Sequence, residues 1–251
     1  MADAANNPSA AALIIGDEIL SGRTQDVNLN YLARFLGALG VDLLEARFVP
    51  DIEAEIVSAL NALRAKHTYV FTTGGIGPTH DDITADAVAK AFGVAIDFHA
   101  EALAALAARY KPGEFNDARK RMARVPAGAT LIRNSVSVAP GFQIANVFVL
   151  AGVPMIMRAM MEEVAPRLAR GRPVASATVT VALAEGRLAG PLAELQKAHP
   201  GVAIGSYPFY EEGIYGASLV VRGRDKTAVE AAASAIEAMV RGMGAQPRRS
   251  G

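Results

Sequence analysis

The sequence has no cysteine among its 251 residues. Disulfides, thiolate metal ligands of the zinc-ribbon kind and a cysteine nucleophile are therefore excluded, and the absence fits a reducing compartment. Tryptophan is also missing, which says little about function. Excess charge is missing as well: lysine plus arginine equals aspartate plus glutamate, 25 each, so no global field draws the chain to nucleic acid or anionic lipid. Any phosphate binding has to be local. No stretch reaches the ~18 uninterrupted apolar residues of a spanning helix, and the opening "MADAANNPSA" has neither the basic nor the apolar region of a leader. The expectation is a soluble, cytoplasmic protein without membrane or nucleic-acid partners, long enough for one large domain or a large and a small one.

Strand-like and helix-like patterns alternate over the first two thirds. "AALIIG" (11–16) reads as a buried strand. Leu29, Leu32, Ala33, Leu36 and Leu39 recur at helical spacing after it, with Gly40 placed to stop the helix. "VDLLEARFV" (41–49) reads as a strand, 52–65 as a helix, "YVFTT" (69–73) as a third strand and 85–92 as a helix. Such alternation implies a parallel sheet covered on both faces. From Asp97 to Met122 the pattern is helical with a break at "KPGEFND". "TLIR", the loop "NSVSVAPG" and a hairpin of "FQIA" and "VFVLA" follow, so the sheet is expected to end in an antiparallel element. Pro154 opens a helix to about Leu168.

The basic, apolar-poor "ARGRPVAS" (169–176) marks a boundary, giving domains at 9–170 and 173–245. Beyond it, "ATVTVAL", a helix over 188–198, "VAIGSYPF", the turn-rich "YEEGIYG", "ASLVVRG" and a helix over 226–243 give β-α-β-β-α. The tail "GAQPRRSG" should be loose. There is no internal repeat. The fold class is thus α/β with a mostly parallel sheet, followed by a small C-terminal α+β unit.

The stretch "TTGGIGPTHDDITAD" (72–86) carries the chemistry. Strand end Thr72–Thr73, Gly74, Gly75, Gly77, Pro78 and a helix start near Thr84 form the strand, glycine loop and helix arrangement that points backbone N–H groups at an anion. Its spacing matches neither a Walker loop nor the dinucleotide G-x-G-x-x-G. Asp81, Asp82 and Asp86 beside a phosphate would repel it unless a hard divalent cation lay between. The alternative is that these aspartates are helix N-terminal charges and the glycines turn makers. A second strand end, "GDEILSGRTQDVNLNYLA" from Gly16, sets Asp17, Glu18, Ser21 and Asn28 around a glycine turn, and "NSVSVAPGF" supplies a third loop. His80 reads as a surface loop residue, and His67, His99 and His199 have no role.

"GDEILSGRTQDVN", "VPD" (49–51), "TTGGIGPTHDDITADAVAKAFG", "APGF" and "AGVP" resemble, in order, the motif set of the MoaB/Mog molybdopterin-binding domain found in CinA-like (competence/damage-inducible protein A) proteins. The likeness covers about residues 11–168. The segment from Pro173 to Met243 is similar to the C-terminal part of short CinA-like proteins and of the pterin-binding region of eukaryotic FAD synthases, and the amidohydrolase domain of longer CinA proteins is not expected. The resemblance implies a three-layer α/β domain in a homo-oligomer, dimer or trimer, whose glycine loop holds a pterin phosphate or a nucleotide. By position, Gly74, Gly75 and Gly77 would hold the ligand through backbone groups. Asp82 and Asp51 would form the reacting centre and bind the metal. Gly16, Asp17, Glu18, Thr73, Pro78, Asp81, Thr84, Ser135, Pro140 and Gly141 would complete the crevice. Ile76 stands where threonine is frequent, and Ala151 where proline is usual.

Three functions follow from the resemblance. The first is hydrolysis of the pyrophosphate of ADP-ribose or FAD with magnesium or cobalt. The second is adenylyl transfer from ATP to molybdopterin in molybdenum cofactor biosynthesis. The third is non-catalytic pterin binding or scaffolding. In the C-terminal unit, Tyr207, Phe209, Tyr210 and Tyr215 surround a hairpin turn, as stacking surface for a base or flavin, as hairpin core or as an oligomer contact.

Overall fold

The computed structural model describes residues 7–250 apart from Pro112 and Glu212. Pro112 of the expected helix break and Glu212 of the expected turn therefore lie outside the described residues. The chain divides into two compact units between Gly171 and Arg172.

The first unit begins with β1 (Ser9–Ile15), a one-turn α1 (Asp17–Leu20), α2 (Asn28–Ala38), β2 (Asp42–Val49), α3 (Glu53–Lys66), β3 (Tyr69–Thr73) and α4 (Thr84–Phe92). Then come β4 (Ile96–Phe98), α5 (Ala100–Arg109), α6 (Asp117–Lys120), β5 (Arg124–Pro126), β6 (Thr130–Ile132), β7 (Gly141–Ile144), β8 (Val147–Leu150) and α7 (Pro154–Val164). One sheet runs β2-β1-β3-β8-β7-β6. Its β2, β1, β3 and β8 are mutually parallel, and β7 and β6 close it antiparallel.

The near-continuous apolar run of β1 follows from burial on both faces. Ala11, Leu13 and Ile15 pack with Ile56, Leu60 and Leu63 of α3 and with α4. The alternate residues Ala10, Ala12 and Ile14 pack with Leu32 and Leu36 of α2 and four buried residues of α7. A strand buried on both sides loses the polar alternation of a half-exposed one. Phe71 and Phe148, on neighbouring strands, stack with centroids 5.1 Å apart. Gly40 does end the α2 segment, at φ +72° with its N–H on the Gly37 carbonyl. This is the three-layer α/β arrangement expected, with the functional loops at the carboxyl ends of β1 and β3.

The helical reading from Asp97 is corrected: Ile96–Phe98 is β4, paired antiparallel with β5. Three-residue strands are too short for periodicity to separate them from helix. Asp17 to Leu20, which the sequence pattern assigns to no element, closes one helical turn before the glycine turn at Gly22.

The second unit contains β9 (Ala175–Val181), α8 (Glu185–Ala198), β10 (Ala203–Glu211), β11 (Ile214–Gly223), α9 (Lys226–Gly242) and β12 (Arg248–Ser250). Its antiparallel sheet runs β10-β11-β9-β12. The tail is therefore not loose throughout, since Arg248–Ser250 adds a strand to β9. Val179, Val181, Leu219 and Val221 form one core with Leu188 of α8 and Val229, Ile236 and Val240 of α9. Asp225 caps α9 by accepting hydrogen bonds from Thr227 N (2.8 Å) and Ala228 N (3.3 Å). Among the described residues no helix is long and apolar enough to cross a membrane.

Candidate functional site

The glycine loop between β3 and α4 is braced from inside its own motif. Gly74, at φ +104°, donates its N–H to the Leu150 carbonyl (3.3 Å), and its own carbonyl accepts the hydroxyl of buried Thr84 (2.9 Å). The Thr84 N–H returns to the Gly75 carbonyl (3.0 Å). Gly75 sits at φ +66°, where a side chain would also collide with the Thr84 hydroxyl. Further along, one oxygen of Asp82 accepts both the Thr79 N–H (2.8 Å) and the Thr79 hydroxyl, and a Cβ on Gly77 would lie 2.6 Å from that same oxygen. Thr84 thus holds the loop rather than faces a ligand, and Thr73 is buried at the end of β3.

At the ends of β1 and β2 the carboxylates crowd. Asp17 and Asp51 exchange backbone-to-side-chain hydrogen bonds, Asp17 N to Asp51 Oδ2 at 3.0 Å and Asp51 N to Asp17 Oδ1 at 3.4 Å. Burial, and then the negative charges of Asp17, Glu18 and Asp81, push the Asp51 carboxyl above its ordinary range, while the Asp17 N–H pulls the other way. A nearby cation would relieve that repulsion. Even so, among the described residues no group of three or more His, Asp or Glu side chains is arranged to hold a metal ion. Asp86 leaves the acidic set altogether, because Arg124 holds it bidentately at 2.9 and 2.6 Å. His80 is on the surface, its side chain 98% exposed.

A pocket of about 360 Å³ opens over the loop, within the range of small-molecule sites. Of the residues named from the sequence, Glu18, Gly74, Gly75, Gly77, Pro78 and Asp82 line it together. Asp17, Asp51 and the exposed Asp81 lie outside this lining. From the third loop the pocket takes Ser137 and Ala139, not Ser135, which is exposed. The cause is Asn134: its Oδ1 accepts from Val136 N, Ser137 N and the Ser137 hydroxyl, and its Nδ2 donates to Ala139 O. That knot forces Val138 to φ +67°, a costly conformation for a β-branched residue. Pro140 borders a narrower recess of about 20 Å³, and Gly141 is buried at the start of β7. The Ala151 N–H points to Met160 Sδ (3.4 Å), a contact that proline there would lack.

Sequence reasoning missed Gly152 and Arg121. Gly152 lines the pocket, touches Gly74 closely enough that an added Cβ would lie 3.2 Å from its Cα, and accepts a 2.7 Å hydrogen bond from buried Asn28. Arg121 lines the recess between the glycine loop and Asp82. Its signal was only a basic cluster, "ARKRMAR", in a broken helical segment.

Residues 11–170 match a family profile described as "probable molybdopterin binding domain". The chain belongs to that family. Residues 173–248 match a second profile, the middle domain of FAD synthase. Within this molybdopterin-binding-domain family the chain is 41% identical over 159 residues to a CinA-like protein of Citrifermentans bemidjiense, covering 61% of this chain and 38% of the relative. It is 36% identical over 212 residues to a protein of Pyrobaculum calidifontis, covering 80% and 81%. The chain spans about two fifths of the length of the CinA-like proteins it matches, between 38% and 44%. Among solved structures it resembles a CinA protein of unknown function from Thermoplasma acidophilum, with TM-score 0.61, 30% identity, and 65% of this chain and 99% of that chain covered.

In the unit matching the FAD synthase middle domain, Tyr207, Tyr210 and Tyr215 are 57%, 62% and 69% exposed, so they are not hairpin core. Tyr210 and Tyr215 face each other with centroids 4.5 Å apart. Phe209 lines a concavity of about 950 Å³ with Ile214, Arg187 and Arg248.

Proposed function

We propose that the chain is a metal-dependent pyrophosphatase acting on a nucleotide diphosphate of the ADP-ribose or FAD type. The observation that carries this reading is the acidic corner of Asp17, Glu18 and Asp51 beside a glycine-lined pocket. The match to the FAD synthase middle domain supports a nucleotide diphosphate as ligand. Asp51 and Asp82 would hold magnesium or cobalt. Two hard carboxylates completed by substrate phosphate oxygens are a familiar magnesium shell, so the missing third protein ligand is compatible with it. When bound, the ion would neutralise charge at the diphosphate and lower the pKa of water. The remaining work falls to this chain's residues. Thr79 fixes the Asp82 carboxylate by two hydrogen bonds and the Asp17 amide fixes that of Asp51. The backbone N–H groups from Gly75 to Gly77 would bind the phosphates, since that of Gly74 is already given to the Leu150 carbonyl. Water attacks one phosphorus and the P–O–P bond breaks, giving AMP with ribose 5-phosphate or FMN.

The test is to incubate purified protein with ADP-ribose, FAD and ATP, with and without magnesium or cobalt, beside Asp82→Asn. Metal-dependent release of AMP from ADP-ribose or FAD, lost in the variant, is expected. Failure of the folded wild type to cleave any diphosphate would sink the reading. The second reading is adenylyl transfer from ATP to molybdopterin; the family description supports it only as far as molybdopterin binding, and a mass spectrum of adenylylated pterin would establish it. Ligand binding in calorimetry without either turnover would leave a pterin-binding module.

A further inference from the structure

Arg121 stands apart from the other charged groups around the loop. Its neighbour Arg124 is neutralised by two hydrogen bonds to Asp86. Arg121 has no ion pair among the described residues. Its hydrogen bond is a marginal one, Nη2 to the backbone carbonyl of Asp82 at 3.5 Å, and its Nε is buried without a partner. A guanidinium carries five donors and no acceptor, and a buried donor left unpaired is costly. The position is also fixed. Arg121 opens a short 3-10 turn whose Ala123 carbonyl accepts the His99 N–H (2.8 Å), and β5 starts at the next residue to pair with β4.

The Arg121 side chain lines the 20 Å³ recess, which shares Gly75, Ile76, Gly77, Asp82 and Met122 with the 360 Å³ pocket. That volume admits about one water-sized atom. A whole phosphate does not fit; one of its non-bridging oxygens does. A diphosphate in the larger pocket would bring its negative charge against Asp82 and Glu18, so the site needs a positive group of its own on the loop's far side.

We propose that Arg121 is the residue that selects a phosphorylated ligand, receiving one anionic oxygen of a diphosphate in the recess beside Gly75 and Gly77. This rests on the diphosphate reading above, but not on its being hydrolysed.

Calorimetry on the full chain in magnesium-free buffer tests it, with ADP-ribose, inorganic pyrophosphate and adenosine as probes against the wild type, Arg121→Gln and Arg121→Lys. Removing a charge-assisted hydrogen bond should weaken ADP-ribose and pyrophosphate binding about 10- to 100-fold in Arg121→Gln. Adenosine affinity should be unchanged, and Arg121→Lys should recover part of the loss. Melting temperature should not fall, because no protein hydrogen bond of good geometry is removed. Equal affinity of wild type and Arg121→Gln for both diphosphates overturns the proposal, as does a fall in melting temperature with diphosphate affinity unchanged. So does a wild type that binds neither diphosphate. If the wild type binds diphosphates through Arg121 yet cleaves none, the hydrolase reading fails and this one stands. If it cleaves them and Arg121→Gln binds and cleaves equally well, the reverse holds.

Discussion

Replacing Gly74 with alanine would place a Cβ 2.1 Å from the Ile15 carbonyl oxygen. Ordinary contact begins near 3.4 Å, so the ends of β1 and β3 would have to part by more than ~1 Å. Neither atom belongs to a side chain that can rotate away. The strands are paired up to Ile14 and Thr73, and Gly74 N is tied to Leu150 O on the other side. Crowding of this kind costs about 1–3 kcal/mol. Forcing a side chain to φ +104° adds about 1–2 kcal/mol, for a total of about 2–5 kcal/mol. Gly93 separates the two contributions: at φ +66° with nothing within 4 Å of an added Cβ, it carries the conformational cost alone, about 1–2 kcal/mol. Urea denaturation of parent, Gly74→Ala and Gly93→Ala should therefore find the parent most stable, Gly93→Ala intermediate and Gly74→Ala least stable. If Gly74→Ala loses no more than Gly93→Ala, the close approach of the two strand ends does not constrain the chain as argued.

Thr84→Val keeps the shape of the side chain but strips the Gly74 carbonyl of its donor, and should lower unfolding stability by about 1–3 kcal/mol; a loss under about 0.5 kcal/mol would contradict the bracing role. Asp51→Asn tests the acidic corner without metal. Because the folded-state pKa is raised above 3.8, ionising Asp51 opposes folding: the deficit builds as pH rises through the folded value and is absent below 3.8. The Asp51→Asn variant should therefore melt above the parent at neutral pH, with the gap closing as pH falls toward 3.8. A variant that melts lower at neutral pH would show that the hydrogen bond to Asp17 outweighs the crowding.

What could be read in advance was local. Tyr69 to Thr73 announced a strand by its apolar run, and the glycines announced a tight loop, which Gly74 and Gly75 make at positive φ. Residue type and spacing did not separate Asp82 from Asp86, four residues apart; only the family resemblance singled out Asp82. One lines the pocket and the other is consumed by Arg124, a partner 38 residues away. Arg121 was invisible for the same reason, its meaning set by Asp82 across 39 residues. The resemblance pointed to Ser135, but the side chain of Asn134 holds Ser137 at the pocket instead. Strands of three residues, such as β4 and β12, carry too few positions for any period to show.

The order of strands in the sheet bears on when the site comes into being. β3 is flanked by β1, already made, and by β8, whose residues emerge more than seventy positions later. Until Leu150 has joined, the edge of β3 from Val70 to Thr73 stands open, and Gly74 has no carbonyl to receive its N–H. Gly152, which completes the wall and receives Asn28, comes later still. The glycine loop is therefore early in synthesis and late in assembly, a long-range closure of the kind that slows folding. The pocket is a property of the nearly complete first unit, not of the motif by which it is recognised.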